Sequence, residues 1–125
     1  MCKELIVGDY TVLICTEKEA LKLSAGSASL DVKDLEEQEG GGAIKASQRP
    51  AVEAHVKTLM ERKFKKVVNC KQGKHRSVVV AIVYLNRVAG KEEGGSIKEL
   101  LKQAQDYVSK SALVEKSLRN MGYLT

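Results

Sequence analysis

The chain has 125 residues, 43% of them hydrophobic and 30% charged, a balance that predicts one domain over residues 1–125 with a core that needs no metal or disulfide support. No apolar run reaches the ~18 residues of a membrane span, and Met1-Cys2-Lys3-Glu4 does not open a signal peptide. A net charge of +5 suits an anionic partner.

Cys2, Cys15 and Cys70 are odd in number and irregular in spacing, which argues against a disulfide framework and for a reducing, cytoplasmic setting. Cys2 sits at an expected frayed end. Cys15 is expected in the core, with a disulfide to Cys70 under oxidation as an open alternative. There is no Cys-x-x-Cys and the two histidines, His55 and His75, are far apart, so no metal site is expected. No cofactor is expected either.

In chain order, Leu5-Ile6-Val7 and Tyr10 to Cys15 read as two strands joined by a turn at Gly8-Asp9. Thr16 and Glu19 form a capping box that opens a helix to about Leu23, and the small residues at 24–27 close it. Ala28 to Val32 reads as a further short strand. Asp34, Glu36, Glu37 and Glu39, followed by Gly40-Gly41-Gly42, read as a solvent-facing loop. From Ser47 a helix is expected, with Pro50 in its first turn and Val52, Val56, Leu59 and Met60 on one face, His55 packed among them.

Phe64 to Val68 is the next strand. Ser77 to Val88 is rich in β-branched residues, yet it runs about 12 residues to a C-cap at Ala89-Gly90, too long for an ordinary strand, and reads as a buried helix. Ser96 and Glu99 form a second capping box, opening a helix with Ile97, Leu100, Leu101, Ala104 and Val108 inward. Ser111 is expected to cap a last helix carrying Val114, Leu118 and Met121, ended by Gly122. Strands alternating with helices predict an α/β fold. Its expected form is three layers, α/β/α, with a central, mostly parallel sheet of four or five strands covered on both faces.

The segment between the last strand and the buried helix carries the chemistry. Its sequence is Asn69-Cys70-Lys71-Gln72-Gly73-Lys74-His75-Arg76-Ser77. A tight strand-to-helix loop turns successive N–H groups toward one point, and the helix N-terminus adds a positive field, so residues Lys71 to Arg76 are expected to bind phosphate. Those dipoles, with Lys71, Lys74 and Arg76, favour the thiolate of Cys70, which is a nucleophile toward phosphorus. Arg76 offers a planar fork for two phosphate oxygens. The His75 side chain is expected to turn away from the anion, and Ser77 to cap the helix.

Residues 67–85 resemble the signature of the cysteine-dependent phosphatases of the protein tyrosine and dual-specificity superfamily, H-C-x-x-G-x-x-R-[ST], through Cys70, Gly73, Arg76 and Ser77, with Tyr84-Leu85 on the following helix. Asn69 stands where that family has histidine. The resemblance implies a dual-specificity phosphatase-like fold and a phosphomonoesterase with Cys70 as nucleophile and Arg76 as phosphate ligand. Ser77 would assist the departing thiolate, and Asp34, in Leu30-Asp31-Val32-Lys33-Asp34, would be the general acid.

Lys71 and Lys74 resemble the loop of the phosphatase and tensin homologue lipid phosphatases, C-K-x-G-K-x-R. Gly73 to Arg76 is similar to the G-K-H-R of plant and fungal atypical dual-specificity phosphatases that act on inositol pyrophosphates. Both imply a highly anionic substrate, such as a phosphoinositide, an inositol polyphosphate or a phosphoprotein. Gly73-Lys74-His75-Arg76-Ser77-Val78 also resembles the C-terminal domain of the bacterial RNase adapter RapZ, which implies a non-catalytic module for a phosphosugar, nucleotide or RNA.

Overall fold

The computed structural model describes residues 2–23, 29–38, 42–63, 65–89, 94–105 and 110–125. Expectations placed on 24–28, Glu39, Gly40, Gly41, Phe64, Gly90 and Val108 lie outside the described residues. Strands β1 (Lys3–Val7) and β2 (Tyr10–Cys15) pair antiparallel across a two-residue turn. Such a turn needs a positive φ at its first central position, and Gly8 supplies it at 56°. Helix α1 (Glu17–Leu21) opens on the expected capping box, with Glu19 N donating to Thr16 Oγ1 at 3.1 Å and Thr16 N to Glu19 Oε1 at 2.8 Å.

Strand β3 (Leu30–Asp31) leads by way of a 3₁₀ turn, Ala46–Gln48, to α2 (Arg49–Glu61). Strand β4 (Lys66–Asn69) precedes α3 (Arg76–Val88), α4 (Ile97–Gln105) and α5 (Ser111–Asn120). The sheet order is β1-β2-β4-β3, with β4 parallel to both of its neighbours. The fold is therefore mixed α/β on a mostly parallel four-stranded sheet.

The β-branched run of α3 is the centre of the core. Every residue from Ser77 to Leu85 is buried, because this helix packs on the sheet and against α2, α4 and α5 at once. A helix buried on all sides has no reason to show a polar stripe. Amphipathic α2 and α4 cover it, burying Val52, Val56 and Leu59, and Ile97, Leu100, Leu101 and Ala104. The C-terminus is clamped to α2, where Tyr123 donates to Glu53 and lies 4.5 Å under the Arg49 guanidinium.

The expected second helical layer is the main correction. Right-handed connections from β2 across to β3 and back to β4 run in opposite directions, which puts α1 and α2 on opposite faces of the sheet. Helix α1 has five residues, about 8 Å of helix, and buries none of them. Leu5, Val7, Val12 and Ile14 are buried on one face; on the other, Glu4, Ile6 and Thr11 are exposed, while Cys15 and Val67, nearer the sheet centre, are buried.

Three local expectations also change. Met60 is 48% exposed, since it falls one residue past the Val52-Val56-Leu59 stripe. Ser111 is the first helical residue of α5, with Lys110 at the cap position and no side-chain capping bond. Cys2 and Cys15 are joined in a disulfide, because antiparallel pairing of β1 with β2 brings their Cα atoms to 4.4 Å. That leaves Cys70 as the free cysteine and removes Cys15 as its partner.

Truncation should separate the two faces of the sheet. Ile82→Ala in α3 should lower the unfolding free energy by about 2–5 kcal/mol in urea titration. Ile6→Ala, on the open face, should cost below about 1 kcal/mol.

Candidate functional site

Strands β2 and β4 are adjacent and parallel, and the chain leaves their carboxyl ends toward opposite faces of the sheet. A crevice opens where two connections diverge in this way, and it is the usual ligand position in open α/β sheets. The Cys70 loop lies in it. Glu17 N donates to Lys71 O at 3.2 Å, joining the start of α1 to the loop.

Gly73 makes the loop possible. Its φ is 66°, and a Cβ there would stand 2.9 Å from the Cys15 carbonyl oxygen and 3.1 Å from Thr16 N. Both the backbone conformation and the contact exclude a side chain. The turn brings Cys70 Sγ to 3.2 Å from Ser77 Oγ and within hydrogen-bonding reach of the N–H groups of Ser77, His75 and Gly73.

Burial is the largest influence on the Cys70 thiol and pushes its pKa up, as it disfavours the charged form. The Ser77 hydroxyl and those three N–H groups pull it down, and together they prevail, leaving Cys70 below the ordinary thiol value. Cys70 is 3% exposed, at the floor of a cavity of about 170 Å³.

Lys71, Gln72, Lys74, His75 and Arg76 line that cavity, so the structure gathers these expected loop residues around Cys70. Gly73 shapes the turn, and Ser77 lies beneath it, fully buried. Lys71, Gln72 and Lys74 also wall a second cavity of about 420 Å³, on the side of Thr16, Glu17 and Lys18. Arg76 is held by its Nη1 donating to the Lys33 carbonyl at 2.5 Å, with its Nε 3.6 Å from Glu37 Oε1. The guanidinium plane is thereby fixed at the rim.

The His75 ring is 5% exposed and lies between two partners, with Nδ1 2.7 Å from Glu37 Oε2 and Nε2 2.7 Å from Ser117 Oγ. Burial lowers its pKa most, Glu37 opposes that, and Lys110 and Arg76 add to the lowering; the ring's pKa ends below its ordinary value. Asn69, in place of the family histidine, accepts from Ser29 Oγ at 2.6 Å through its side chain, and its carbonyl accepts from Val32 N at 2.9 Å. It therefore ties β4 to the β3 segment.

Asp34 is not brought to the cavity. Its side chain is 68% exposed, and its Oδ1 lies 2.9 Å from His55 Nε2 on α2. Among the described residues, the carboxylate lining the cavity is Glu37, three positions on, expected from sequence to face solvent. Lys110, at the start of α5, also lines it and had no local signal. Ser117 did have one, since it stands on the inward face of α5 beside Val114 and Leu118, where a hydroxyl needs a partner. Among the described residues, no group of three or more His, Cys, Asp or Glu is placed to hold a metal ion.

Comparison of the chain with family models, curated proteins and solved structures finds no match.

Two substitutions test the loop. In Ser77→Ala, the midpoint of the pH dependence of Cys70 alkylation by iodoacetamide should move upward, because the donor holding the thiolate is gone. Gly73→Ala should destabilise the fold by at least about 1–2 kcal/mol for the left-handed backbone alone, measured by urea unfolding.

Proposed function

We propose that this protein is a cysteine-dependent phosphatase that hydrolyses a phosphomonoester through a phosphocysteine intermediate. The observation that carries the reading is the buried Cys70 sulfur, held below the ordinary thiol pKa by Ser77 and by three N–H groups of a loop whose cavity is lined by Lys71, Lys74 and Arg76. A sulfur surrounded by donors serves as nucleophile, and the same donors accept the oxygens of a phosphoryl group seated above it. Cavity cations on several sides favour a highly anionic substrate, of which phosphoinositides, inositol polyphosphates and phosphoproteins are the classes considered.

In this mechanism Cys70 attacks phosphorus in line with the leaving oxygen. The Arg76 fork and the loop N–H groups hold the equatorial oxygens, whose charge develops in the transition state. Water then cleaves the phosphocysteine, and the Ser77 hydroxyl donates to the departing thiolate. No step calls on a metal or other cofactor, since the loop and its cations supply the positive charge.

A second reading is a phosphate-recognition module without turnover, resembling the RapZ domain and taking a phosphosugar, nucleotide or RNA. One observation favours it: Asp34, the acid implied by the phosphatase resemblance, faces His55 and solvent instead of the cavity.

Steady hydrolysis of p-nitrophenyl phosphate, abolished in Cys70→Ser and reduced about 10²–10³-fold in Arg76→Lys, is the expected outcome for the enzyme. Binding of inorganic phosphate or RNA without turnover, lost in Arg76→Ala, would instead establish the module.

A further inference from the structure

We infer that Glu37 is the proton donor to the leaving oxygen, and that His75 and Ser117 are the residues that position it. The inference rests on the phosphatase reading above. Among the described residues, Glu37 is the one carboxylate lining the Cys70 cavity, and at 27% exposure its side chain is reachable from it. Its Oε1 lies 3.6 Å from Arg76 Nε, so the carboxyl group borders the position where the arginine fork would hold a phosphoryl group.

The hydrogen-bond network offers a place for a transferable proton. Ser117 has a single hydroxyl hydrogen, and its Oγ donates it to Leu113 O at 2.7 Å. The same oxygen accepts from Ile44 N at 2.8 Å, which leaves it to accept from His75 Nε2 as well. Assigning the Nε2 hydrogen from these partners leaves Nδ1 of a neutral ring bare. Nδ1 faces Glu37 Oε2 at 2.7 Å, a contact that needs one proton between the two atoms. With this assignment, Glu37 and His75 share a proton that no other contact of the pair uses.

Position is controlled from the same serine. Glu37 bridges Ile44 through the backbone, Gln38 N donates to Ala43 O at 2.9 Å, and Ile44 N is bound to Ser117. The Glu37 side chain reaches Ser117 by way of the His75 ring. Both ends of the glutamate are therefore referenced to one buried hydroxyl on α5.

Among the described residues, the charged groups that line the cavity with the pair are Arg76, Lys71 and Lys74 from the loop, Lys110 from the start of α5, and the Cys70 sulfur. These cations oppose keeping the shared proton; an incoming phosphoryl dianion offsets them and favours it. In the first step the sulfur–phosphorus bond forms, the phosphorus–oxygen bond breaks, and the proton passes from Glu37 to the leaving oxygen. In the second, the Glu37 carboxylate takes a proton from the attacking water, the water oxygen bonds to phosphorus as the sulfur–phosphorus bond breaks, and inorganic phosphate leaves with the thiolate and protonated pair restored.

The test compares p-nitrophenyl phosphate, whose leaving group needs no proton, with phenyl phosphate, whose leaving group does. Glu37→Gln should lower kcat/KM for phenyl phosphate, which reports the leaving-group step alone, about 10²–10⁴-fold and remove the alkaline limb of its pH profile, while kcat/KM for p-nitrophenyl phosphate falls at most about tenfold. Glu37→Asp should restore part of the phenyl phosphate rate. Ser117→Ala should displace the alkaline limb, with Ser117→Thr bringing it back, a readout that general loosening of the fold would not produce.

Equal losses of kcat/KM on both substrates in Glu37→Gln, or a leaving-group-dependent loss of kcat/KM in Asp34→Asn instead, would overturn the assignment while leaving the phosphatase reading intact. Absence of turnover in the wild type on either substrate would overturn both. Should the glutamine variant not fold, the wild type decides: kcat/KM across aryl phosphates of rising leaving-group basicity should stay flat, and a steep fall refutes a proton donor at Glu37.

Discussion

The contact of Gly73 with the backbone of Cys15 and Thr16 is the constraint on which the site depends. The end of β2 lies beside the end of β4, and the chain after Cys70 must turn back against it to start α3 on the other face. Only a residue without Cβ passes at that distance, and only one tolerant of positive φ makes the turn. In this tight turn, the N–H groups of Gly73, His75 and Ser77 lower the pKa of the Cys70 thiol, whose sulfur lies 3.2 Å from Ser77 Oγ. Pairing of β2 with β4, bonding of Glu17 to Lys71, and burial of α3 all hold this geometry from outside the loop.

A second layer of order comes from buried polar groups. Ser117, His75 and Glu37 form a chain from α5 to the cavity, and Arg76 is fixed by Lys33 and Glu37 at its rim. No buried side-chain nitrogen or oxygen among the described residues lacks a partner, so the network is satisfied throughout. Its consequence for the proposed chemistry is that the rim holds both charges, the cation a phosphoryl group would need and a carboxylate that could give or take a proton. The apolar packing of α3 below it supplies rigidity, and the polar chain beside it supplies direction.

Much of the framework was legible before any coordinates. The capping box at Thr16 and Glu19, the turn at Gly8, the inward stripe of α4 and the helical nature of the run after Arg76 all follow from spacing and side-chain type, which act within a few residues. The grouping of Lys71, Gln72, Lys74 and Arg76 around Cys70 was legible for the same reason, since one short loop carries them all. Asp34 and Glu37 were not separable in this way. Both lie in one acidic stretch, and which of them faces the cavity depends on His55 from α2 and His75 from the loop, partners far away in the chain.

What the amino-acid sequence determined alone is the α/β class, most of the element positions and the cysteine-to-arginine loop, because these arise from local backbone preferences and the periodicity of apolar side chains. Only the tertiary structure decided that Glu4, Ile6 and Thr11 on the far face of β1 and β2 are exposed, that Cys15 pairs with Cys2, and that Glu37 instead of Asp34 borders the cavity. Each of these depends on which distant segments pack together. Strand pairing, crossover direction and helix length set that packing for the whole chain at once, and no short window of residues contains it.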